Sequence, residues 1–206
     1  MLKIWGRANS NNVRKVQWCV EEVGVPYTRV DVGGAFGQLD TPEFAALNPN
    51  QQIPVVEDGN LVLWESNAIV RYLCARYAPG TLYADDPAER ALADRWMDWT
   101  SLNFVPSYSV IFWGLVRTPE AQRDMDAIRA AVERAGKLLA IVDDQLARQP
   151  YLSGAALGMG DIPLGTLIHA WFTLPIERRD LPNLARWYDR LRARPAYAKV
   201  VGQPLS

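Results

Sequence analysis

Apolar positions along the 206-residue chain change their period near residue 80. Before that point, short alternating runs interleave with helical stretches. Leu2-Lys3-Ile4-Trp5 alternates and predicts a strand, and 6–12 reads as a polar loop. Val13, Val16, Val20 and Val23 then recur at three- and four-residue spacing, the signature of an amphipathic helix. Gly24 follows as the residue that closes that helix, and Pro26 prevents its continuation. Residues 27–32 alternate again, so strand, helix and strand form a candidate parallel βαβ unit. Residues 33–38 read as a flexible loop. Thr41-Pro42-Glu43 opens a short helix, with Thr41 as its cap and Pro42 at its first position. Two apolar runs, 53–56 and 61–64, flank Asp58-Gly59-Asn60, which is a hairpin signal. Pro54 cannot donate to a ladder and belongs at a strand start or an edge. Glu65-Ser66 leads directly into NAIVRYLCARY, so Ser66 is expected to cap a helix running to Tyr77.

Residues 79–86 (PGTLYADD) break every period and are expected to link two domains. Everything beyond reads helical. Pro87 opens a long helix through Trp96, Trp99 and Leu102. Pro119 is expected to open another to about Gln149, with Ile128, Val132, Leu138, Leu139, Ile141, Val142 and Leu146 as its apolar positions. Residues 161–171, 182–192 and 196–201 supply three more. The expected fold class is an α/β, thioredoxin-like domain over 1–78, a linker at 79–86 and an all-α domain over 87–206.

Composition narrows the function without naming it. The charge sums to −1 with no basic block, which argues against a nucleic-acid or anionic-membrane partner. No apolar run approaches the ~18 residues of a membrane span, and MLKIWGRANS lacks the apolar core of a signal peptide. Cys19 and Cys74 have neither CxxC spacing nor a histidine cluster, so no metal site is expected and both read as buried thiols. A reducing cytoplasm is the default compartment.

Asn48-Pro-x-x-x-Ile53-Pro54-Val55, followed by Glu65-Ser66-Asn67-Ala68-Ile69, resembles the glutathione-binding half of the soluble glutathione transferases. The element order extends the resemblance over essentially the whole chain, and its closest flavour is bacterial and theta- or nu-like. One packing motif departs from the pattern: Asp161 matches the residue that opens the core helix of the second domain, but Gly158 stands where a capping Ser or Thr is expected.

The resemblance implies glutathione as co-substrate, a hydrophobic electrophile as second substrate, a homodimer and a cytoplasmic enzyme. Such an enzyme first needs a thiolate. A free thiol with a pKa near ~8.5 is only a few per cent ionised at pH 7, and hydrogen bonds to the charged sulfur favour it. The loop Ala8-Asn9-Ser10-Asn11-Asn12 offers Ser10, with Asn12 beside it, as the activating donors. It contains no Tyr, which excludes the tyrosine mechanism, and no Cys, which argues against cysteine chemistry. Both residues could instead simply cap the helix. By position, the backbone of Ile53 before Pro54 would pair with the cysteinyl backbone like an added strand. Glu65 and Ser66 would hold the γ-glutamyl end. Gln52 stands where a cation is often found, and Gln38 could contribute from its loop.

Trp5, Arg7, Phe104, Tyr108, Phe112 and Trp113 are the candidate second-substrate pocket, although an aromatic stripe is more often core than pocket. Arg117 could sit at its edge. Asp94 resembles an acidic residue that reaches the partner's glutathione across the dimer; a solvated face is the alternative. His169 reads as structural. Three rivals share the fold: a glutathione-dependent disulfide reductase or peroxidase, a non-catalytic glutathione-binding module, and an isomerase of the maleylacetoacetate type, whose usual second loop serine is missing here.

Overall fold

The structure, a computed structural model, describes residues 1–205. The chain divides into two compact units, Met1–Tyr83 and the residues from Ala84 onward. The break at 79–86 straddles that division. Thr81 and Tyr83 donate their backbone N–H groups to the Ala78 carbonyl, which folds the stretch back onto the first unit.

The first unit runs β1 (Leu2–Trp5), α1 (Asn11–Val23), β2 (Tyr27–Val30), α2 (Pro42–Leu47), β3 (Val55–Asp58), β4 (Leu61–Trp64) and α3 (Ser66–Tyr77). The strands order as β2-β1-β3-β4. β1 pairs parallel with β2 and antiparallel with β3, while β3 and β4 form the hairpin, with Asp58 opposite Leu61. Trp5 pairs with Val55 and Ile4 with Val56. Because strand side chains alternate, these pairs lie on opposite faces. Trp5 and Val55 join Val32 and Phe44 of α2 in one apolar cluster. α1 packs against α3, with Cys19 and Cys74 fully buried and their sulfurs 3.6 Å apart.

Local chemistry sets most boundaries. Gly24 closes α1 at φ 70°, a conformation favoured by glycine. The Thr41 hydroxyl accepts from the Phe44 N–H, 3.2 Å, with Pro42 in the first turn. Ser66 is the first residue of α3 rather than its cap; Glu65 holds the cap position at φ 71°, and its carbonyl accepts from the Ile69 N–H. The expected flexible loop at 33–38 contains a 3₁₀ turn over Gly34–Phe36.

The second unit is helical: α4 (Pro87–Trp99), α5 (Val105–Phe112), α6 (Met125–Leu146), α7 (Asp161–Thr173), α8 (Pro182–Arg192) and α9 (Pro195–Val200). Wide π turns over Thr100–Phe104 and Trp113–Arg117 border α5. Pro106, which has no N–H to donate, lies just past the first of them. The helix expected to start at Pro119 starts at Met125 instead. Pro119 precedes only a 3₁₀ turn, and the Asp124 carboxylate caps α6 by accepting from the Ala127 N–H at 2.9 Å.

Asp161 anchors this unit. It is fully buried and accepts from the N–H groups of Leu152 (2.7 Å), Ser153 (3.2 Å), Gly158 (3.2 Å) and the Trp187 indole (2.9 Å). Burial pushes its carboxyl above the ordinary range, against the downward pull of these donors. A hydroxyl does serve the start of α7 despite Gly158: Ser153 Oγ accepts from the Gly160 N–H at 3.1 Å.

Candidate active site

The loop between β1 and α1 is built on backbone. Gly6 donates to the Val30 carbonyl and Arg7 to the Val32 carbonyl, which prolongs the strand ladder past Trp5. Gly6 sits at φ 147°, and a Cβ there would lie 2.4 Å from Val13 Cγ2, so only glycine lets the loop cross α1 this closely. Ser10 then takes the cap position of α1 with extended backbone, φ −87° and ψ 125°. Its carbonyl accepts from the Arg14 N–H at 2.8 Å. Its half-buried side chain makes no capping hydrogen bond, so the hydroxyl is not spent on the helix it begins.

Asn12, exposed in the first turn of α1, ties this loop to α3. Its Oδ1 accepts from Ser66 Oγ at 3.4 Å. The starts of α1 and α3 therefore meet, and each presents N–H groups that favour an anion.

Asn48 shapes the third wall. It is 2% exposed; its Nδ2 donates to the Gln52 carbonyl at 2.8 Å and its Oδ1 accepts from the Asn50 N–H at 2.9 Å. That clamp presents exposed Gln52, half-buried Ile53 and buried Pro54, with the Ile53-Pro54 peptide bond cis. Gln38 is exposed at φ 69° on the neighbouring loop.

The chain belongs to the glutathione S-transferase family. Residues 1–75 match the family's N-terminal domain and 125–190 its C-terminal domain. Glutathione S-transferase GstB of Escherichia coli (strain K12) is 43% identical over 208 residues, with all of both chains covered. Glutathione S-transferase F14 of Arabidopsis thaliana is 33% identical over 96% of this chain and 80% of its own length. Among solved structures, the theta class glutathione S-transferase of Xanthomonas axonopodis pv. citri with glutathione bound is 60% identical, with a TM-score of 0.96 over 100% of this chain and 99% of that one. Glutathione transferase F2 of Populus trichocarpa is 27% identical at a TM-score of 0.86, with 98% of each covered. The transferase therefore has glutathione as its co-substrate. Among the described residues no group of His, Cys, Asp or Glu could hold a metal ion, and no helix is long and apolar enough to cross a membrane.

The aromatic candidates for the second substrate divide. Trp5 is committed to the sheet: its indole N–H donates to Glu57 Oε1 at 2.6 Å and its ring meets Phe44 edge-on. That bond, with Lys3 alongside, holds the Glu57 carboxyl below its usual range. Arg7 donates to Asn9 Oδ1 at 2.7 Å. In the second unit, Phe104, Tyr108 and Phe112 are buried one turn apart, with Tyr108 and Phe112 stacked at 5.5 Å. Trp113 instead is 61% exposed. The Arg117 guanidinium lies 5.8 Å from the Phe112 ring. Asp94 is half-buried on α4. His169 bonds the Tyr188 hydroxyl at 2.8 Å, far along the chain from these groups.

Sequence reasoning missed Lys15 of the transferase. It is 4% exposed, and its ammonium donates to Ser66 Oγ at 3.2 Å and Asn67 Oδ1 at 3.3 Å. Burial lowers its pKa to about 8, partly opposed by the negative charge of Glu65. The one available signal was its place four residues before Cys19, which puts both on one face of α1.

Proposed function

We propose that this transferase joins the thiolate of glutathione to small hydrophobic electrophiles, with the Ser10 hydroxyl stabilising the thiolate. The observation that carries this reading is a Ser10 side chain at the cap of α1 that makes no capping hydrogen bond, in the loop that Asn12 ties to Ser66. A shift of about two pKa units needs ~2.7 kcal/mol of preference for the charged sulfur. One hydroxyl donating to a charged group supplies ~1.5–3 kcal/mol, and the start of α1 adds to it. Asn12 assists as a second donor. The theta class relative with bound glutathione supports glutathione as the thiol substrate in this reading.

The peptide's cysteinyl backbone pairs with Ile53 ahead of Pro54. Its γ-glutamyl end lies against Glu65 and Ser66, and its glycyl end meets Gln52, with Gln38 nearby. For the electrophile, the second unit offers Trp113, which is 61% exposed, whereas Phe104, Tyr108 and Phe112 are buried. The enzyme acts in the cytoplasm as a homodimer, with Asp94 reaching the partner's glutathione. Support for a second copy comes from edge strand β4, where Leu61, Val62 and Trp64 are 38%, 41% and 36% exposed, and from Leu92 of α4 at 52%.

An ultraviolet difference titration of bound glutathione tests the central step. The thiol pKa is expected to fall by more than about one unit in the wild type and to return in Ser10→Ala. A pKa lowered equally in both proteins removes Ser10 from the role and leaves it to Asn12 and the helix start.

A further inference from the structure

The thiolate chemistry draws on none of α7, α8 or α9, yet these three helices frame a cavity of about 540 Å³. That volume falls among small-molecule sites, which hold about 300–1,000 Å³. Every residue lining it belongs to the second unit, so it shares none with the glutathione candidates between Ser10 and Ser66. Its wall is aromatic. The Phe172 and Tyr188 rings stack at 4.5 Å and 9°, and Tyr197 meets Tyr188 edge-on at 6.4 Å. Hydrogen bonds lock these rings. The Tyr188 hydroxyl shares one of 2.8 Å with His169 Nδ1, and the Tyr197 hydroxyl donates to the Gly165 carbonyl at 2.9 Å. Ala185 of α8 and Ala198 of α9 bring only a methyl group each to the lining, which leaves the space open. A preformed aromatic wall takes a flat ring at little ordering cost.

The formal charges on the lining are Asp189 and Arg192, one turn apart on α8 and 3.6 Å from each other. Both are exposed, and an exposed pair of this kind contributes little, so a ligand can take over both partners. The Arg192 guanidinium also lies 5.4 Å from the Tyr188 ring, which sets the cation beside the aromatic wall. A simple aromatic acid would leave Asp189 facing its carboxylate, and an aromatic amine would leave Arg192 facing its ammonium. A ligand that carries both charges on one carbon, next to a ring, satisfies the rim and the wall together.

We propose that this cavity is a second binding site, separate from the transferase chemistry, for an aromatic α-amino acid. The ring packs against Phe172 and Tyr188, the carboxylate takes the Arg192 guanidinium in a two-bond fork, and the ammonium takes Asp189.

Calorimetry with L-phenylalanine tests this, against three analogues that each lack one group: 3-phenylpropanoate without the ammonium, 2-phenylethylamine without the carboxylate, and L-leucine without the ring. S-methylglutathione is kept at saturating concentration, so that an amino acid is not read out from the glutathione site. The wild type is expected to bind L-phenylalanine with a Kd on the order of 0.1–1 mM, about tenfold tighter than each analogue. Ala198→Leu fills the cavity from α9 and is expected to abolish binding. Arg192→Gln is expected to erase the preference over 2-phenylethylamine, and Asp189→Asn the preference over 3-phenylpropanoate. These two side chains are exposed, so the test survives if the leucine disturbs α9. Absence of L-phenylalanine binding at about 10 mM overturns the proposal, as does undiminished binding in a folded Ala198→Leu. An analogue that binds as tightly as L-phenylalanine, or preferences that persist in both charge variants, overturns the amino acid as occupant.

Discussion

Truncating Asp161 to alanine leaves four buried donors without an acceptor: the N–H groups of Leu152, Ser153 and Gly158 and the indole of Trp187. Each orphaned buried donor costs about 1–3 kcal/mol, so four cost at least about 4 kcal/mol. Removing the carboxylate also removes a charge that burial disfavours, which returns part of that sum. A net loss of about 3–5 kcal/mol follows, in line with breaking one side of a buried charged network. For a chain of this size, that lowers Tm by about 9–15 °C, at about 3 °C per kcal/mol. Asp161→Asn separates geometry from charge. Its oxygen can still serve Leu152 and Trp187, which both bond Oδ1, while its amide nitrogen faces the N–H groups of Ser153 and Gly158. About half the alanine loss is expected, roughly 2 kcal/mol. Guanidinium unfolding followed by tryptophan fluorescence, at one fixed protein concentration, gives both values. An alanine variant within about 1 kcal/mol of the wild type refutes the network as the anchor of α7.

Three further outcomes follow from the structure. Gly160→Ala places a Cβ 2.4 Å from the Ala93 carbonyl oxygen, a backbone atom of α4 that cannot swing aside, so thermal melting should show a loss of about 3 kcal/mol; a tolerated alanine contradicts the close approach of α4 and α7. Lys15 has a folded pKa of about 8 against an ordinary 10.5. Below that window both states hold the proton; within it the unfolded chain binds a proton that the folded chain lacks, so stability rises with pH, by about 3 kcal/mol in all relative to Lys15→Met, and a flat difference between the two proteins rejects the shift. Cys19 and Cys74 are fully buried, and their shared hydrogen bond and burial push the Cys19 thiol well up; a thiol reagent should therefore label neither in the native protein and both in denaturant, and rapid native labelling would show that α1 and α3 separate.

Much of the fold is legible because its causes are local. The hairpin turn at Asp58-Gly59-Asn60, the glycine that closes α1 and the Thr41-Pro42 start of α2 each need only neighbouring residues. The start of α6 escaped because Pro119 is as good a first-turn residue as any, and only the Asp124 cap decides the issue. The site divides along the same line. The candidates Ser10, Asn12, Ile53, Pro54, Glu65 and Ser66 were nameable from their motifs. Asn48 was visible as part of a motif, but its clamp on the Gln52 carbonyl was not.

The sequence by itself determined the order of elements, the change of period near residue 80 and the residue types that a glutathione site requires, because periodicity, turn chemistry and donor type are properties of short segments. Tertiary structure alone decided which of those groups are occupied and which are uncommitted. Ser10 makes no cap although it stands at the cap position, Ser153 serves α7 in place of the missing hydroxyl at 158, and Trp5 is taken by Glu57. Lys15 is held as a buried cation because α3, 51 residues further on, brings Ser66 to it. Burial and pairing depend on what distant segments bring to a residue, and no local pattern carries that information.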